Sequence, residues 1–165
     1  LKTIFAIPEH KVPLPGGRAA SQNDIWVLGE TSSDLVSIAI EGKVSEPFGD
    51  TVKKWFKKET PGKKERLLFL CDELGFDFPP PGEVRYQLLH RTVSAIIEAK
   101  RFKTNKAAMV VHTFSPTNEW FEDYDYFLSL FRLSSGINQA TSVVLKSGVN
   151  LTFAWVHGDE KYLKS

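Results

Sequence analysis

One cysteine and one methionine occur in 165 residues. A lone thiol rules out an internal disulfide framework and any centre built on paired cysteines, whether a CxxC redox pair or a cysteine-rich zinc site. Cys71 lies in the run Leu67-Leu68-Phe69-Leu70-Cys71, where it reads as a small buried hydrophobe. A chain without disulfides suits a reducing compartment, so a cytoplasmic location is expected. No apolar run approaches the roughly 20 residues that cross a bilayer, and the first residues lack a signal peptide's layout, so no membrane partner is expected. No HExxH helix or nucleophile elbow is present, and Pro13-Leu14-Pro15-Gly16-Gly17 lacks the Lys and Ser or Thr of a phosphate-binding P-loop. Charge of one sign is missing too. The 21 Lys and Arg face 20 Asp and Glu, so only local clustering can argue for a nucleic-acid partner.

What is present is ordinary globular composition, 42% hydrophobic and 25% charged, in a length that suits one domain over residues 1–165. A β-rich stretch at 3–7 precedes a turn-rich loop. Strands at 24–28 and 35–44, joined by a polar turn, form a predicted antiparallel hairpin. Period two along the second of these puts Val36, Ile38 and Ile40 on one face, expected to pack, and Ser37, Ala39, Glu41 and Lys43 on the other. Helical spacing follows at 50–59, at 63–74 with Gly75 as C-cap, and most clearly at 83–101. The polar face of that last helix carries Gln87, His90, Arg91, Ser94 and Glu98. A strand at 107–114, a helix at 123–133 and a strand at 149–157 complete the order. Fold class is therefore expected to be α/β (α+β), a mixed central sheet flanked by helices.

Asp24, Glu41 and Lys43 are the residue types of a two-carboxylate metal site. Hard oxygen ligands hold Mg²⁺ or Mn²⁺, and a Lys nearby orients water or stabilises phosphate charge. Glu41 and Lys43 point from one strand face, and Asp24 opens the neighbouring strand. The competing reading is a solvated i, i+2 pair of little consequence for stability.

Asp24 followed by Glu41-Gly42-Lys43 at the end of an apolar strand resembles the PD-(D/E)XK superfamily of restriction and repair nucleases, with Asn23 in place of the motif's Pro. The resemblance implies a restriction endonuclease-like core of helix, three antiparallel strands, helix and strand. It also implies Asp24 and Glu41 as metal ligands, Lys43 as the residue that activates water, and Gln87 as an assisting side chain. Nucleic acid would be the substrate, and a homodimer the form that cuts two strands. The first helix of that core has no counterpart here and the chain starts at Leu1 rather than Met, so an upstream segment is expected. Three strings, residues 6–11, 40–49 and 85–91, also resemble an uncharacterised bacterial family that brings no known activity.

The main basic excess is Lys53, Lys54, Lys57, Lys58, Lys63, Lys64 and Arg66 against Glu59 and Glu65. With Arg91, these lysines are the expected phosphate contacts. A solvated helix face is equally Lys-rich. Glu46 is expected to be a surface residue rather than a ligand. Trp55 and Phe56 are expected to be core anchors. The leading expectation is metal-dependent phosphodiester hydrolysis. The alternatives are a catalytically inactive nuclease-like module that binds nucleic acid or protein, and a small-molecule enzyme that uses Glu9, His10 and Glu41.

Overall fold

Six strands form a single mixed sheet in a computed structural model that describes residues 1–163. β1 (Lys2–Val12), β2 (Ser21–Glu30) and β3 (Leu35–Lys43) make an antiparallel meander. β3 then pairs in parallel with β4 (Lys106–Thr113), and β4 with β6 (Asn150–His157). β5 (Gln139–Val144) closes the far edge antiparallel to β6, which gives the order β1-β2-β3-β4-β6-β5. A parallel pair needs a crossover. Between β3 and β4 it is supplied by α1 (Val52–Phe56), α2 (Pro61–Leu74) and α3 (Tyr86–Arg101), and after β4 by α4 (Phe121–Ser129).

Local chemistry sets most boundaries. Thr60 caps α2 by accepting the Lys63 N–H, Pro61 occupies its first turn, and Gly75 ends it at φ 75°. The first helix is only five residues long rather than spanning 50–59: Thr51 caps it by accepting the Lys54 N–H, its free first-turn N–H groups on Val52 and Lys53 donate to Val84 O and Gly82 O, and Lys57 closes it on Lys54 O. Residues 82–84 form a turn and Arg85 bridges Thr51, so α3 starts at Tyr86. β1 runs on through Pro8, which the sequence placed at a strand end. As an edge strand it tolerates a residue without an N–H. β5, which the hydrophobic pattern did not signal, is an exposed edge strand of mostly small and polar residues.

The helices all pack into one core against one sheet face. Leu88, Leu89, Val93 and Ile96 of α3 meet Ala39, Met109 and Val111, and α2 adds Leu67, Leu70 and Leu74. Phe127 of α4 sits edge-on to Phe153 at 5.8 Å, and Phe121 edge-on to Trp155 at 5.2 Å. Each such pair contributes about 0.5–1.5 kcal/mol beyond the area it buries.

The expected assignment of faces on β3 is reversed. Ser37, Ala39, Glu41 and Lys43 point into the helix layer and are buried. Val36, Ile38 and Ile40 join Val27, Ala108 and Val110 in a small cluster on the other face, to which no helix residue contributes among the described residues. Among the described residues, no helix is long and apolar enough to cross a membrane.

Candidate functional site

The polar face of α3 does not point to solvent. It lies against the polar ends of β1, β2 and β3 and forms a buried seam with them. At one end Ser94 Oγ donates to Asn23 Oδ1 at 2.7 Å, and Glu98, buried, lies 3.3 Å from His10 Nε2 and 3.0 Å from Arg101. His10 Nε2, Asn23 Nδ2 and Glu98 Oε1 are buried there without hydrogen-bond partners among the described residues, so this end is the less well satisfied.

At the other end Glu41 is the hub. Lys43 Nζ donates to Glu41 Oε1 at 3.0 Å, Gln87 Nε2 to the same oxygen at 2.6 Å, and Arg91 Nε to Oε2 at 2.5 Å. Lys43 Nζ also lies 3.4 Å from Gln87 Oε1. The seven-residue separation of Arg91 and Glu98 puts the two ends about 10 Å apart along the helix. Three of the four residues expected at a catalytic centre, Glu41, Lys43 and Gln87, therefore converge. Arg91, expected as a phosphate contact, joins them as the partner of Glu41.

Asp24 takes a different position. Its Oδ2 accepts the Gly42 N–H at 2.7 Å and lies 3.5 Å from the place a Gly42 Cβ would occupy. That Cβ direction is opposite to the side chains of Glu41 and Lys43, so Asp24 serves the strand ladder rather than the seam. With both Glu41 oxygens occupied and Asp24 turned away, the carboxylates do not make a divalent-cation site in this arrangement. Among the described residues, no group of three or more His, Cys, Asp or Glu side chains is placed to hold a metal ion.

His90 continues the seam. Its Nδ1 is 2.9 Å from Ser21 Oγ, which also accepts from Arg91 Nη1 at 3.3 Å. Burial, reinforced by the charges of Arg91 and Arg66, pushes the imidazole down to about 3 and keeps it neutral. Arg66 lies behind His90 and Tyr86, where its guanidinium donates to Pro15 O at 2.9 Å and Leu14 O at 3.3 Å. Sequence reasoning counted Arg66 in the basic run but missed its burial, and it missed Ser21 altogether. Only the i, i+4 spacing of Arg66 with Leu70 on the inner face of α2 carried a signal.

Lys43, Gln87, His90 and Arg91 line a cleft of about 420 Å³ beside the 47–50 loop, with Trp55 and Tyr86, stacked at 3.9 Å, on its aromatic side. It opens at the C-terminal end of β3, where the sheet turns from antiparallel to parallel. Crevices beyond strand C-termini are the usual ligand positions of open α/β sheets. A depression of similar size, about 430 Å³, is lined by residues 117–123, which include three carboxylates and no cation.

The basic run lies on α1, α2 and their connection. Lys53, Lys54, Lys57, Lys58 and Lys64 are exposed there, and Lys63 folds over Trp55, 5.0 Å from the ring centre. Trp55 is half-buried, packed on the core as the sequence suggested. Glu46 accepts the N–H groups of Val44 and Ser45 in a turn, 4.0 Å from Lys43. Glu9, His10 and Glu41 are each engaged elsewhere, with Gln22, Glu98 and Arg91 respectively, and form no common site. Burial raises the Cys71 thiol to about 11, with Asp72 adding to the shift, which makes it an inert core residue.

A family model described as Domain of unknown function (DUF6946) matches residues 1–160. No curated protein and no solved structure matches the chain.

Proposed function

We propose that this chain, which belongs to the DUF6946 family, is a nuclease-like domain that binds the phosphate groups of a nucleic acid in the cleft at the C-terminal end of β3. One observation carries this reading. Lys43 and Arg91, at 5% and 8% exposure, line the cleft and share one buried carboxylate, Glu41. Buried cations are ordinarily paired, and an excess beside an open cleft suits an anionic ligand. The exposed lysines of α1 and α2 extend the positive surface along the same side, and phosphate contacts dominate nucleic-acid affinity.

Mg²⁺- or Mn²⁺-dependent hydrolysis of the phosphodiester is the second proposal. It is favoured by the convergence of Glu41, Lys43 and Gln87 at the end of an antiparallel meander followed by a parallel strand, the order expected of a PD-(D/E)XK core. Arg91 would have to leave Glu41 for this chemistry. A homodimer and a cytoplasmic setting go with it.

Fluorescence anisotropy with single-stranded and duplex oligonucleotides in EDTA tests the first proposal. Binding is expected to weaken as salt rises and to fall about tenfold in Lys43→Ala and Arg91→Gln, the loss of one charge-assisted contact, with circular dichroism unchanged. Absence of binding, or binding indifferent to salt and to both variants, would overturn it. Product analysis of the same mixtures with Mg²⁺ or Mn²⁺ addresses hydrolysis. Strand cutting that disappears in Glu41→Gln and Lys43→Ala would establish it.

A further inference from the structure

The face of the sheet opposite the helices is uncharged across its whole width. In register along the ladder, Pro8, Ile25, Ile40, Val110, Ala154 and Ala140 form one row that crosses all six strands. Ala6, Val27, Ile38, Ala108, Thr152 and Ser142 form the next. Val27, Ile38 and Ala108 are the buried centre of the small cluster on this face. Leu151, Phe153 and Trp155, which alternate with Thr152 and Ala154, go to the helix-side core. A hydrogen bond of 3.0 Å between Ser142 Oγ and Thr152 Oγ1 brings β5 into the same rows. Neither row holds a charged residue. Charge and polarity stand only toward the strand ends, with Lys106 paired to Asp34 at 2.7 Å at one end and with Asp24 and His112 at the other.

Strands paired in parallel are ordinarily covered on both faces. Among the described residues, the helices cover β3, β4 and β6 on one face only. An uncharged centre inside a polar rim is the anatomy of a protein interface. With strands about 4.8 Å apart and about 3.3 Å per residue, six strands over roughly six residues present a face of about 500 Å². Two such faces bury about 1,000 Å², the lower bound of a specific interface. The distribution of bulk says what fits. Isoleucine and valine fill the two rows on β2 and β3, whereas alanine, threonine and serine fill them on β6 and β5. A two-fold axis parallel to the strands, between β3 and β4, lays β2 of one copy over β6 of the other and β3 over β4, so larger side chains meet smaller ones.

We infer that a second copy of this chain covers the open sheet face, in an isologous dimer whose sheets pack face to face about 10 Å apart. Ile25 of each copy then lies against Ala154 of the other. An interface at the lower bound of area gives a dissociation constant of about micromolar order. The cleft lies on the helix side of the sheet, so dimer formation and phosphate binding are independent, and failure of either leaves the other standing.

Sedimentation velocity over a concentration series through the micromolar range is expected to show a reversible shift from one chain mass to two. Ile25→Lys, at a side chain 40% exposed, and Ala154→Glu, at a half-buried one, place a charge on the face. Each is expected to weaken association by about tenfold or more, the cost of burying an unpaired charge, with circular dichroism unchanged. Ala140→Glu repeats the test at an exposed edge position, where no buried side chain is disturbed. Leu68→Lys, on the exposed side of α2, is expected to leave association as it was. An equimolar mixture of Ile25→Lys and Ala154→Glu is expected to associate about tenfold more tightly than either variant alone, because the two introduced charges meet across the pair. A monomer at every concentration would overturn the dimer and leave the face to a different occupant. A dimer indifferent to all three face variants would place the contact elsewhere and overturn it as well. Variants that stay monomeric when mixed would overturn the position of the axis.

Discussion

Both oxygens of Glu41 are occupied, Oε1 by Lys43 and Gln87 and Oε2 by Arg91. Removing this carboxylate leaves two buried cations facing each other, and breaking a buried pair in this way costs about 3–5 kcal/mol. Glu41→Ala is therefore expected to lower stability by about that amount in urea denaturation. Glu41→Ala combined with Arg91→Met is expected to recover a coupling of about 1 kcal/mol or more, because the double variant no longer buries an unmatched guanidinium. Strictly additive costs would show that the pair is not coupled. At this scale the sequence was half legible. Glu41 and Lys43 two apart on a strand had to share a face, and Gln87 was correctly grouped with His90 and Arg91. The identity of Arg91's partner was not legible, since Glu41 lies 50 positions away and no local pattern says which strand a helix face will cover.

Among the elements, α2 positions Arg66 and carries part of the basic surface, and its position depends on a contact that only glycine permits. A Cβ on Gly62 would come within 2.5 Å of Gly16 O, and Gly16 itself sits at φ 77°. The 13–17 loop lies against the start of α2 through this approach and through the two Arg66 hydrogen bonds. Gly62→Ala is expected to cost about 1–3 kcal/mol by overpacking, read as a Tm drop of about 2–4 °C per kcal/mol, and to open residues 13–17 to limited proteolysis. An unchanged Tm and cleavage pattern would mean that the loop is held by something else. The end of α2 at Gly75 was readable because its cause is local, whereas Pro61-Gly62, expected to break the chain before a helix at 63, lies inside the first turn behind the Thr60 cap. β1 and β5 were misread because their pairing is decided across the sheet. Pro8 is accommodated by an edge position, and β5 gains its order from β6 rather than from its own side chains.

For the whole molecule, near-balanced charge means that general self-repulsion is small near neutral pH, so individual buried groups decide how stability varies there. The His90 imidazole takes up a proton near 6.5 in an unfolded chain but only near 3 in the fold. Between those values the unfolded chain holds the extra proton, so stability falls as pH drops through this window, and His90 contributes no slope above it. Urea midpoints from pH 7.5 to 4.5 are expected to fall more steeply for the wild type than for His90→Asn, while parallel curves would show that His90 does not set the acid limit. The sequence by itself determined the fold class, most of the helices and strands, and the two-residue spacing of acid and base, because periodicity, caps and turns act over a few residues. Only the tertiary structure decided that the polar faces of α3 and β3 would meet, that Arg91 would pair with Glu41, and that Asp24 would turn to the backbone. A polar side chain matched by a buried partner has the same local pattern as one matched by water, and the match is made between residues far apart in the chain.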